Sequence, residues 1–424
     1  MSRDFPALFF SYRVLREVLK EKKFVRDIFE NFSRKNEEFR KNLPLITELV
    51  YGTLRYWHQI DFILSALLKR KKVKDVRVKI LLSLGIYQIL YTETPDAKAV
   101  FSTVELCKNL FSKETGNFAN ALLKKFMNEK EEILNRIESL PREQYLEIKY
   151  SFPSIFVENI RYEKKEEILE LLNKPAPLYL KPVPGVSTLS EIILFLKEVG
   201  VTYSVCDFPP ECVRTTISTT RLLENLGDKM IIQDRGAQII SWLLRGIPDG
   251  KKVLDCCTAP GWKTMEILRG GEKKVVVVEK SEKRLRSFRT FLKKGNFRNV
   301  EIVIDSMENA SSRLRDKFDF AIADVPCSNS GVVRRHPEKK LFLNEKTLFS
   351  LVSQQRKILS SIYGVLNRGG ILLYITCSLF QKENEDQVRW MTSVFPDIEI
   401  LSEGYIYPFS FDSDGFFLAL MRKK

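Results

Sequence analysis

The sequence is poor in the residues from which metal sites and disulfide frameworks are built. It has only two histidines in 424 residues, and its seven cysteines are scattered, with no Cys-x-x-Cys pair among them. A structural zinc site takes four Cys or His ligands at short spacings, so we expect no metal site. An odd number of scattered thiols is typical of reduced cysteines in an intracellular protein.

The sequence also lacks long apolar runs. None approaches the roughly 20 residues that cross a bilayer. The first ten residues do not have the build of a signal peptide, which starts with positive charge and continues into an apolar stretch. We therefore expect no contact with a membrane and a cytoplasmic location.

Acidic residues are outnumbered by basic ones. The 69 Lys and Arg against 54 Asp and Glu give a formal charge of +15 and an isoelectric point near 9.3. Such an excess fits a polyanionic partner such as nucleic acid, because basic side chains displace counterions from phosphates. A lysine-rich proteome, or weak attraction to any acidic surface, would give the same excess, so charge alone leaves the partner open.

The length predicts two or three domains, and residues 1–135 have the pattern of a helical bundle. This part has 25 basic and 17 acidic residues, so it holds +8 of the total charge. Its densest basic run, 69–74, is equally consistent with a solvated loop and with an RNA contact. A last helix is expected from Phe118, and apolar residues recur at helical spacing in five earlier stretches, which are 14–19, 46–54, 62–68, 78–86 and 100–110.

Two shorter segments follow the bundle. Residues 136–175 are charged and predicted to be a helical connector, which ends at Pro175 and Pro177 because paired prolines stop a helix. Residues 176–229 are predicted to form a small α+β module of the split βαβ, RRM-like kind. It would be either an RNA-facing module or a packing insert. Its expected elements are a strand at 178–180, a helix at 188–199, and strands at 202–205 and 213–217.

Residues 230–424 alternate between strands and helices. Such alternation predicts an α/β domain of Rossmann-like build, with a mostly parallel sheet covered by helices on both faces. A helix is expected from Ser281 and another over 348–366, and Phe416 opens the closing apolar stretch. The expected strands are 253–257, 275–279, 300–305, 318–324 and 371–375.

Two of these strands run directly into polar residues that bear chemistry. The strand at 318–324 ends at Asp324 and leads to Cys327, and the strand at 371–375 leads to Cys377. A free cysteine near an apolar strand is usually a small core residue. Two neighbouring strand ends, however, would present both thiols and the carboxylate to one pocket at the carboxyl edge, where open α/β sheets bind ligands.

The loop from Asp255 to Thr264 lies where a cofactor would bind. It contains only Gly261, whereas a phosphate cradle needs more glycines. Glu279 ends the next strand and suits two ribose hydroxyls, and Asp305 ends the third strand, where it would meet an adenine edge. Either carboxylate alone would as readily cap the following helix. Together, and without a phosphate-binding cluster, they favour a nucleoside, and we expect S-adenosylmethionine.

The same motifs resemble the RNA cytosine-5 methyltransferases. The loop 255–264 is similar to that family's S-adenosylmethionine loop. The stretches Asp324-Val-Pro-Cys-Ser and Thr376-Cys-Ser resemble its two cysteine motifs. Further similarity, to its bacterial ribosomal branch, is found at 233–234, 331–337 and 414–417. Near the start, Glu48 to Trp57 and 117–123 resemble the NusB-type RNA-binding domain that precedes some RNA methyltransferases.

This resemblance implies an activity and a set of site residues. It implies methylation of carbon 5 of one cytosine in small-subunit ribosomal RNA, by a monomer acting on naked RNA or an early assembly intermediate. Cys377 would attack the base, Cys327 would assist release, and Asp324 would face the base's polar edge. RNA contacts are expected from Lys263, Arg334, Arg335 and His336. The cofactor would be held by Cys257, Thr258, Ala259, Pro260, Gly261, Trp262, Lys263, Glu279, Arg284, Asp305 and Asp324.

The chain departs from the family pattern at three places. Trp262 stands where the family has a second glycine, Thr258 where it has alanine, and Asn329-Ser330 where it has small residues. Geometry alone leaves Cys327 a contender for the attacking thiol, because the Pro-Cys thiol attacks in DNA cytosine-5 methyltransferases. The same reaction on transfer RNA also stays open as a function, and so does a non-catalytic role as an RNA-binding assembly factor.

Overall fold

The computed structural model of the protein describes residues 4–69, 72–217, 219–258, 260–314 and 317–424. They form two compact units. The first, called the helical unit below, comprises residues up to Glu158 together with Lys164–Asn173 and Arg335–Leu343. The second, called the sheet unit, comprises Asn159–Glu163, Lys174–Arg334 and Asn344–Lys424.

The N-terminal part is an all-helical bundle, as predicted. Its apolar faces meet in one core, and side-chain caps start several helices: Asp75 accepts a hydrogen bond from the Arg77 N–H, and Ser112 accepts one from the Thr115 N–H. In the basic run 69–74, residues 70 and 71 lie outside the described residues. The helices are α1 (Asp4–Glu21), α2 (Val25–Lys35), α3 (Glu37–Lys41), α4 (Leu43–Arg55), α5 (Trp57–Leu67), α6 (Val76–Tyr91), α7 (Asp96–Leu110), α8 (Lys113–Glu138), α9 (Arg142–Lys149), α10 (Ser154–Asn159) and α11 (Lys165–Asn173).

A small antiparallel sheet follows, with the β-α-β-β-α-β order of a split βαβ. Its strand order is β2-β3-β1-β4, and Thr188 starts α12 with a capping box to Glu191. The last strand begins at Met230, so the sheet extends past residue 229, where the module was expected to end. The elements are β1 (Leu178–Pro182), α12 (Leu189–Glu198), β2 (Tyr203–Val205), β3 (Val213–Thr215), α13 (Thr219–Asn225) and β4 (Met230–Ile232).

The remaining strands form a seven-stranded sheet in the order β10-β11-β9-β8-β5-β6-β7. The five strands from β9 to β7 in this order are parallel to one another. At the edge, β11 pairs antiparallel with β9, and β10 pairs antiparallel with β11. This is the predicted α/β sheet. The strands are β5 (Lys252–Cys256), β6 (Lys274–Val278), β7 (Val300–Val303), β8 (Phe318–Asp324), β9 (Leu366–Thr376), β10 (Ile398–Ile406) and β11 (Phe416–Lys423).

Three details of this sheet differ from the expectation. β9 begins at Leu366, five residues before the expected start at 371, and Gly369 makes this extension possible at φ +76°. β10 was not predicted, because charged and polar residues interrupt its apolar pattern. β7 ends at Val303, so Asp305 lies two residues beyond the strand.

Helices cover both faces of the large sheet. On one face α14, α15 and α16 contribute Ile240, Met265 and Phe288 to a core, and on the other face α19 and α20 contribute Ile358 and Met391. The carboxyl ends of β5, β6, β8 and β9 therefore meet at one edge. The helices of the sheet unit in this part of the chain are α14 (Arg235–Leu243), α15 (Trp262–Arg269), α16 (Glu282–Lys294), α17 (Met307–Ala310), α19 (Glu345–Val365), α20 (Glu385–Val394) and α21 (Pro408–Phe411), whereas α18 (Lys339–Phe342) belongs to the helical unit.

The segment Arg335–Leu343 lies between β8 and β9 in the sequence, but it belongs to the helical unit. Its anchor is Lys340, which is 1% exposed. The Lys340 Nζ donates hydrogen bonds to the Arg55 carbonyl at 3.0 Å, to the Ser151 carbonyl at 3.2 Å and to Asn173 Oδ1 at 2.5 Å. A buried lysine with three acceptors fixes this segment in the bundle.

All seven cysteines are free thiols. Within the described ranges, no group of three His, Cys, Asp or Glu side chains is placed to hold a metal ion. No described helix is long and apolar enough to cross a membrane.

Candidate active site at the carboxyl edge of the large sheet

β8 and β9 bring two thiols to the same edge of the sheet. The strands are parallel neighbours, with Asp324 opposite Ile375. β8 ends at Asp324, three residues before Cys327, and β9 ends immediately before Cys377. The Sγ atoms of Cys327 and Cys377 are 3.1 Å apart. The structure thus places together the two thiols that follow neighbouring strands in the sequence.

The two thiols differ in environment. Cys327 is buried, whereas Cys377 is half-buried. The hydrogen bond with Cys377, together with burial, raises the pKa of the Cys327 thiol well above its usual value. The Cys377 sulfur also accepts a hydrogen bond from Asn329 Nδ2, at 3.3 Å. Cys327 is therefore held as a neutral thiol beside a sulfur that is more accessible.

A buried glutamate fastens the two cysteine-bearing loops to each other. Glu383 accepts hydrogen bonds from the Ser328 N–H at 2.8 Å and from Ser378 Oγ at 2.6 Å. Gln355 Nε2 donates to Glu383 Oε1 and to the Pro326 carbonyl, both at 3.0 Å. Burial raises the pKa of Glu383 despite these bonds. Because Ser328 and Ser378 each follow a cysteine, this cluster holds the two sulfurs at their separation.

Gly331 lets three backbone segments pack closely at this edge. Its N–H donates to the Cys377 carbonyl at 3.0 Å, and its carbonyl accepts from the Gly415 N–H at 2.9 Å. A Cβ at Gly331 would lie 2.2 Å from the Gly415 oxygen and 3.0 Å from the Cys377 oxygen. Only glycine fits between these two backbones, so this residue fixes the position of the Cys377 carbonyl.

Asp324 is paired with a lysine from the first turn of α15. Lys263 Nζ lies 2.6 Å from Asp324 Oδ2, and the two side chains are 17% and 31% exposed. Burial lowers the pKa of Lys263, but the charge of Asp324 and the hydrogen bond to it outweigh burial and raise that pKa. Lys263 is thus a largely buried cation paired with Asp324 and is not a solvated side chain at the start of α15.

The loop between β5 and α15 has the tight build that a bound nucleoside requires. Gly261 starts α15 at φ +94°, and a Cβ there would lie 2.2 Å from the Phe288 ring. Asp255 is fully buried; its Oδ2 accepts from Thr264 Oγ1, but its Oδ1 has no partner among the described residues. Burial raises the pKa of Asp255 to about 6. A close glycine turn beside an unpaired buried oxygen fits a small polar ligand.

Glu279 and Asp305 lie just beyond the adjacent strands β6 and β7. Glu279 is 4% exposed; its carboxylate accepts from the Ser281 N–H at 3.1 Å and faces Arg284 at 3.4 Å. Asp305 accepts from the next N–H at 2.7 Å and pairs with Arg313. Both carboxylates therefore support the start of the next helix. The Glu279 oxygens are also suited to accept from ribose hydroxyls, so the donor and acceptor set fits S-adenosylmethionine.

The other predicted cofactor residues belong to the same loop. The Trp262 ring packs 4.8 Å from the Phe291 ring and joins the core under α16. The bulk of this side chain, in place of the family's glycine, is therefore absorbed by packing. Thr258 Oγ1 donates to the Asp255 carbonyl at 2.7 Å. The loop also contains Cys257 and Pro260, while Ala259 lies outside the described residues.

The burial of Arg334 argues against the RNA contact that was expected from it. Its side chain is only 3% exposed. Its charge and N–H groups are used inside the protein, so we no longer assign it an RNA contact. Arg335 and His336 are half-buried and belong to the helical unit. The Arg334 guanidinium donates to four acceptors, the carbonyls of Lys174, Pro175 and Ser413 and the carboxylate of Asp412.

The sequence analysis did not single out Asn329, Gln355 and Glu383 for these contacts. Asn329 had a signal, because it departs from the family's small residues. Glu383 lies in the polar run 381–386, which is typical of an exposed helix start. Gln355 lies within a long helix and carries no local signal. Their contacts depend on packing between segments that are far apart in the sequence.

Comparison with known proteins finds matches for both parts of the chain. Residues 243–422 match the family described as 16S rRNA methyltransferase RsmB/F, and residues 8–128 match the NusB family. The ribosomal RNA small subunit methyltransferase B of Proteus mirabilis is 29% identical over 391 residues, which are 91% of each chain.

Solved structures show the same fold. The crystal structure of PH0851 has a TM-score of 0.78 at 21% identity and covers 100% of this chain and 99% of that chain. A methyltransferase homolog protein from Pyrococcus horikoshii has a TM-score of 0.56 at 23% identity, covering 67% of this chain and 100% of that chain. At these identities the likeness concerns the fold alone.

Proposed function

We propose that this chain, which matches the 16S rRNA methyltransferase RsmB/F family over residues 243–422 and the NusB family over residues 8–128, is a cytosine-5 methyltransferase of small-subunit ribosomal RNA. S-adenosylmethionine is the proposed methyl donor. One observation carries the proposal: Cys327 and Cys377 lie 3.1 Å apart at adjacent strand ends, in the domain that contains the glycine loop.

The reaction needs a thiolate because carbon 5 of cytosine is a weak nucleophile. Addition of a thiolate to carbon 6 forms a carbon–sulfur bond and turns carbon 5 into the end of an enamine. Bound S-adenosylmethionine supplies the methyl group that carbon 5 takes. Carbon 5 then loses its proton to solvent water, and the electron pair of that C–H bond restores the ring double bond and expels the sulfur as thiolate, to which the neutral Cys327 thiol would donate a hydrogen bond.

We assign the attack to Cys377 and the release step to Cys327. Cys377 is the more exposed thiol, and Asn329 Nδ2 donates a hydrogen bond to its sulfur at 3.3 Å. Cys327 is buried, and its raised pKa keeps it protonated. This difference between the thiols supports the assignment, which the resemblance implies and which geometry alone had left open.

Asp324 is proposed to select cytosine. A carboxylate accepts a hydrogen bond from the cytosine N4 amino group, whereas uracil has only a carbonyl oxygen at that position. Lys263 holds Oδ2 of Asp324 at 2.6 Å, which leaves Oδ1 for the base. For the cofactor, we propose that Glu279 binds the ribose hydroxyls and that the Gly261 loop approaches the methionine part.

The helical unit is proposed to hold the RNA. Residues 1–135 carry 25 basic and 17 acidic residues, an excess that favours phosphate contact. Lys263 remains a candidate for contact with the RNA at the sheet edge, and Arg335 and His336 remain candidates for RNA contact on the helical unit. That base must leave its stack to reach Cys377, as for other enzymes that modify bases. The proposed substrate is naked RNA or an early assembly intermediate, bound by a monomer.

The test is bisulfite sequencing of small-subunit RNA after incubation with the protein and S-adenosylmethionine. We expect one cytosine to become resistant to conversion, and a parallel reaction on transfer RNA to leave every cytosine convertible. Calorimetry should detect binding of S-adenosylmethionine by the protein alone. No resistant cytosine and no heat of binding would instead support a non-catalytic RNA-binding factor.

A further inference from the structure

We propose that Asn329 is a further catalytic residue of this site, whose side-chain amide donates a hydrogen bond to the Cys377 sulfur and stabilises the attacking thiolate. The inference rests on the proposed function for the role of Cys377, but the contact is a property of the protein alone. Nδ2 of Asn329 lies 3.3 Å from Sγ of Cys377, although the two residues are 48 positions apart.

The backbone aims this amide at the sulfur. Asn329 has φ +61° and ψ +26°, the left-handed region, which asparagine tolerates better than most residues. The residues on either side are tied down: the Ser328 N–H donates to Glu383, and Ser330 Oγ lies 2.9 Å from Ser378 Oγ. The side chain of Asn329 is therefore presented from a short loop that is fixed at both ends.

An amide is the right donor for this position. A neutral thiol donor such as Cys327 loses its hydrogen bond if it gives up its proton. The amide of Asn329 has no accessible ionisation, so it donates to Cys377 throughout the reaction. It stabilises the thiolate before attack, and it does so again when the carbon–sulfur bond breaks and the electron pair returns to sulfur.

The contact does not follow from the resemblance, because the family pattern has small residues where this chain has Asn329. A competing role for Asn329 is to serve only the left-handed turn. Two substitutions separate these roles. Asn329→Gly keeps the turn and removes the amide, whereas Asn329→Asp keeps the shape and replaces a donor by a carboxylate oxygen.

The measurement is the rate at which iodoacetamide alkylates Cys377, followed by peptide mass spectrometry at a series of pH values. The labelling rate rises with pH as the Cys377 thiol loses its proton. For Asn329→Gly we expect this rise to occur at a pH about one unit higher, because the loss of a hydrogen bond to a charged group changes its ionisation equilibrium by about tenfold. At the alkaline plateau the same variant should react about twofold to threefold faster, because a less stabilised thiolate is the better nucleophile. Asn329→Asp should move the rise further.

The other groups that face Cys377 are unchanged by these substitutions. They are Cys327 on the loop after β8, the pair formed by Lys263 and Asp324, and Glu383 behind Ser378. If Asn329 had only a structural role, Asn329→Gly would label more slowly or be less stable. It would not label more slowly than the wild-type protein at low pH and faster than it at high pH, so the two rate profiles would not cross. Thermal melting of each variant checks the fold.

Profiles of the wild-type protein and both variants that superimpose at every pH would overturn the proposal. The assay needs neither RNA nor S-adenosylmethionine, so it is independent of the proposed function. If the profiles cross as expected while the wild-type protein methylates no RNA, the contact stands and the proposed function fails. If methylation is found and the profiles superimpose, the proposed function stands and Asn329 is only a turn residue.

Discussion

Gly331→Ala should disable the site without removing any chemical group. The new Cβ would lie 2.2 Å from the Gly415 oxygen and 3.0 Å from the Cys377 oxygen, whereas ordinary contacts begin at 3.4 Å. Both neighbours are backbone, so no side chain can swing away, and a segment must move by about 1 Å. Misplacement of a reacting group by 1 Å costs on the order of 100-fold in rate. Overpacking of this kind also costs about 1–3 kcal/mol of stability.

The assay is methyl transfer to small-subunit RNA under single-turnover conditions, together with calorimetry of S-adenosylmethionine binding. We expect the rate to fall about 100-fold while the affinity for the cofactor is unchanged, because the Gly261 loop is a separate segment. The matched control is Gly364→Ala, an exposed helical glycine with nothing within 4 Å of the added Cβ. The control should keep its activity and gain about 0.5–1 kcal/mol. Wild-type rate and melting temperature in Gly331→Ala would refute the packing argument.

Two further predictions concern buried carboxylates. Glu279→Gln removes a charged acceptor from the proposed ribose site and should weaken binding of S-adenosylmethionine about tenfold in calorimetry, with RNA binding unchanged; an unchanged affinity would place the ribose elsewhere. Glu383→Ala leaves the Ser328 N–H without its acceptor and removes one of the two acceptors of the Gln355 amide, so it should cost about 2–4 kcal/mol in chemical denaturation, while Glu383→Gln, which keeps one acceptor oxygen, should cost less. Because burial raises the pKa of Glu383, the folded state holds its proton more tightly than the unfolded state does. The stability that this gives is complete below the usual value of 4.5 and is lost as the pH rises through the folded pKa. The stability of the wild-type protein relative to Glu383→Gln should therefore fall as the pH rises above 4.5, and a rise would contradict this assignment.

The sheet edge was predictable because its signal is local. β8 and β9 are apolar runs that end in polar residues, and strands that run parallel in one sheet end at the same edge. Asp324, Cys327 and Cys377 follow from that rule alone. The positions of Gly261 and Glu279 were predictable from their spacing. A turn follows the first strand, one helix follows the turn, and the length of that helix sets where the next strand ends.

The contacts that hold the site together were not predictable in the same way. Arg334 has the composition of a surface residue but is buried, since Asp412 and three carbonyls from distant segments satisfy its guanidinium. Glu383 was hidden in a polar run, and only the fold brings it under both Ser328 and Ser378. Such partners are chosen by tertiary packing, which leaves no periodic pattern in the sequence.

The most direct test of the account is the formation of a covalent complex with RNA by two variants, each of which lacks one of the two thiols of the site. The Cys327→Ala and Cys377→Ala proteins are each incubated with small-subunit RNA and S-adenosylmethionine and then run on a denaturing gel. We predict that Cys327→Ala accumulates a protein–RNA adduct, because it attacks the base but does not complete release. We also predict that Cys377→Ala forms no adduct and does not turn over. An adduct with Cys377→Ala, and none with Cys327→Ala, would contradict the assignment of Cys377 as the attacking thiol.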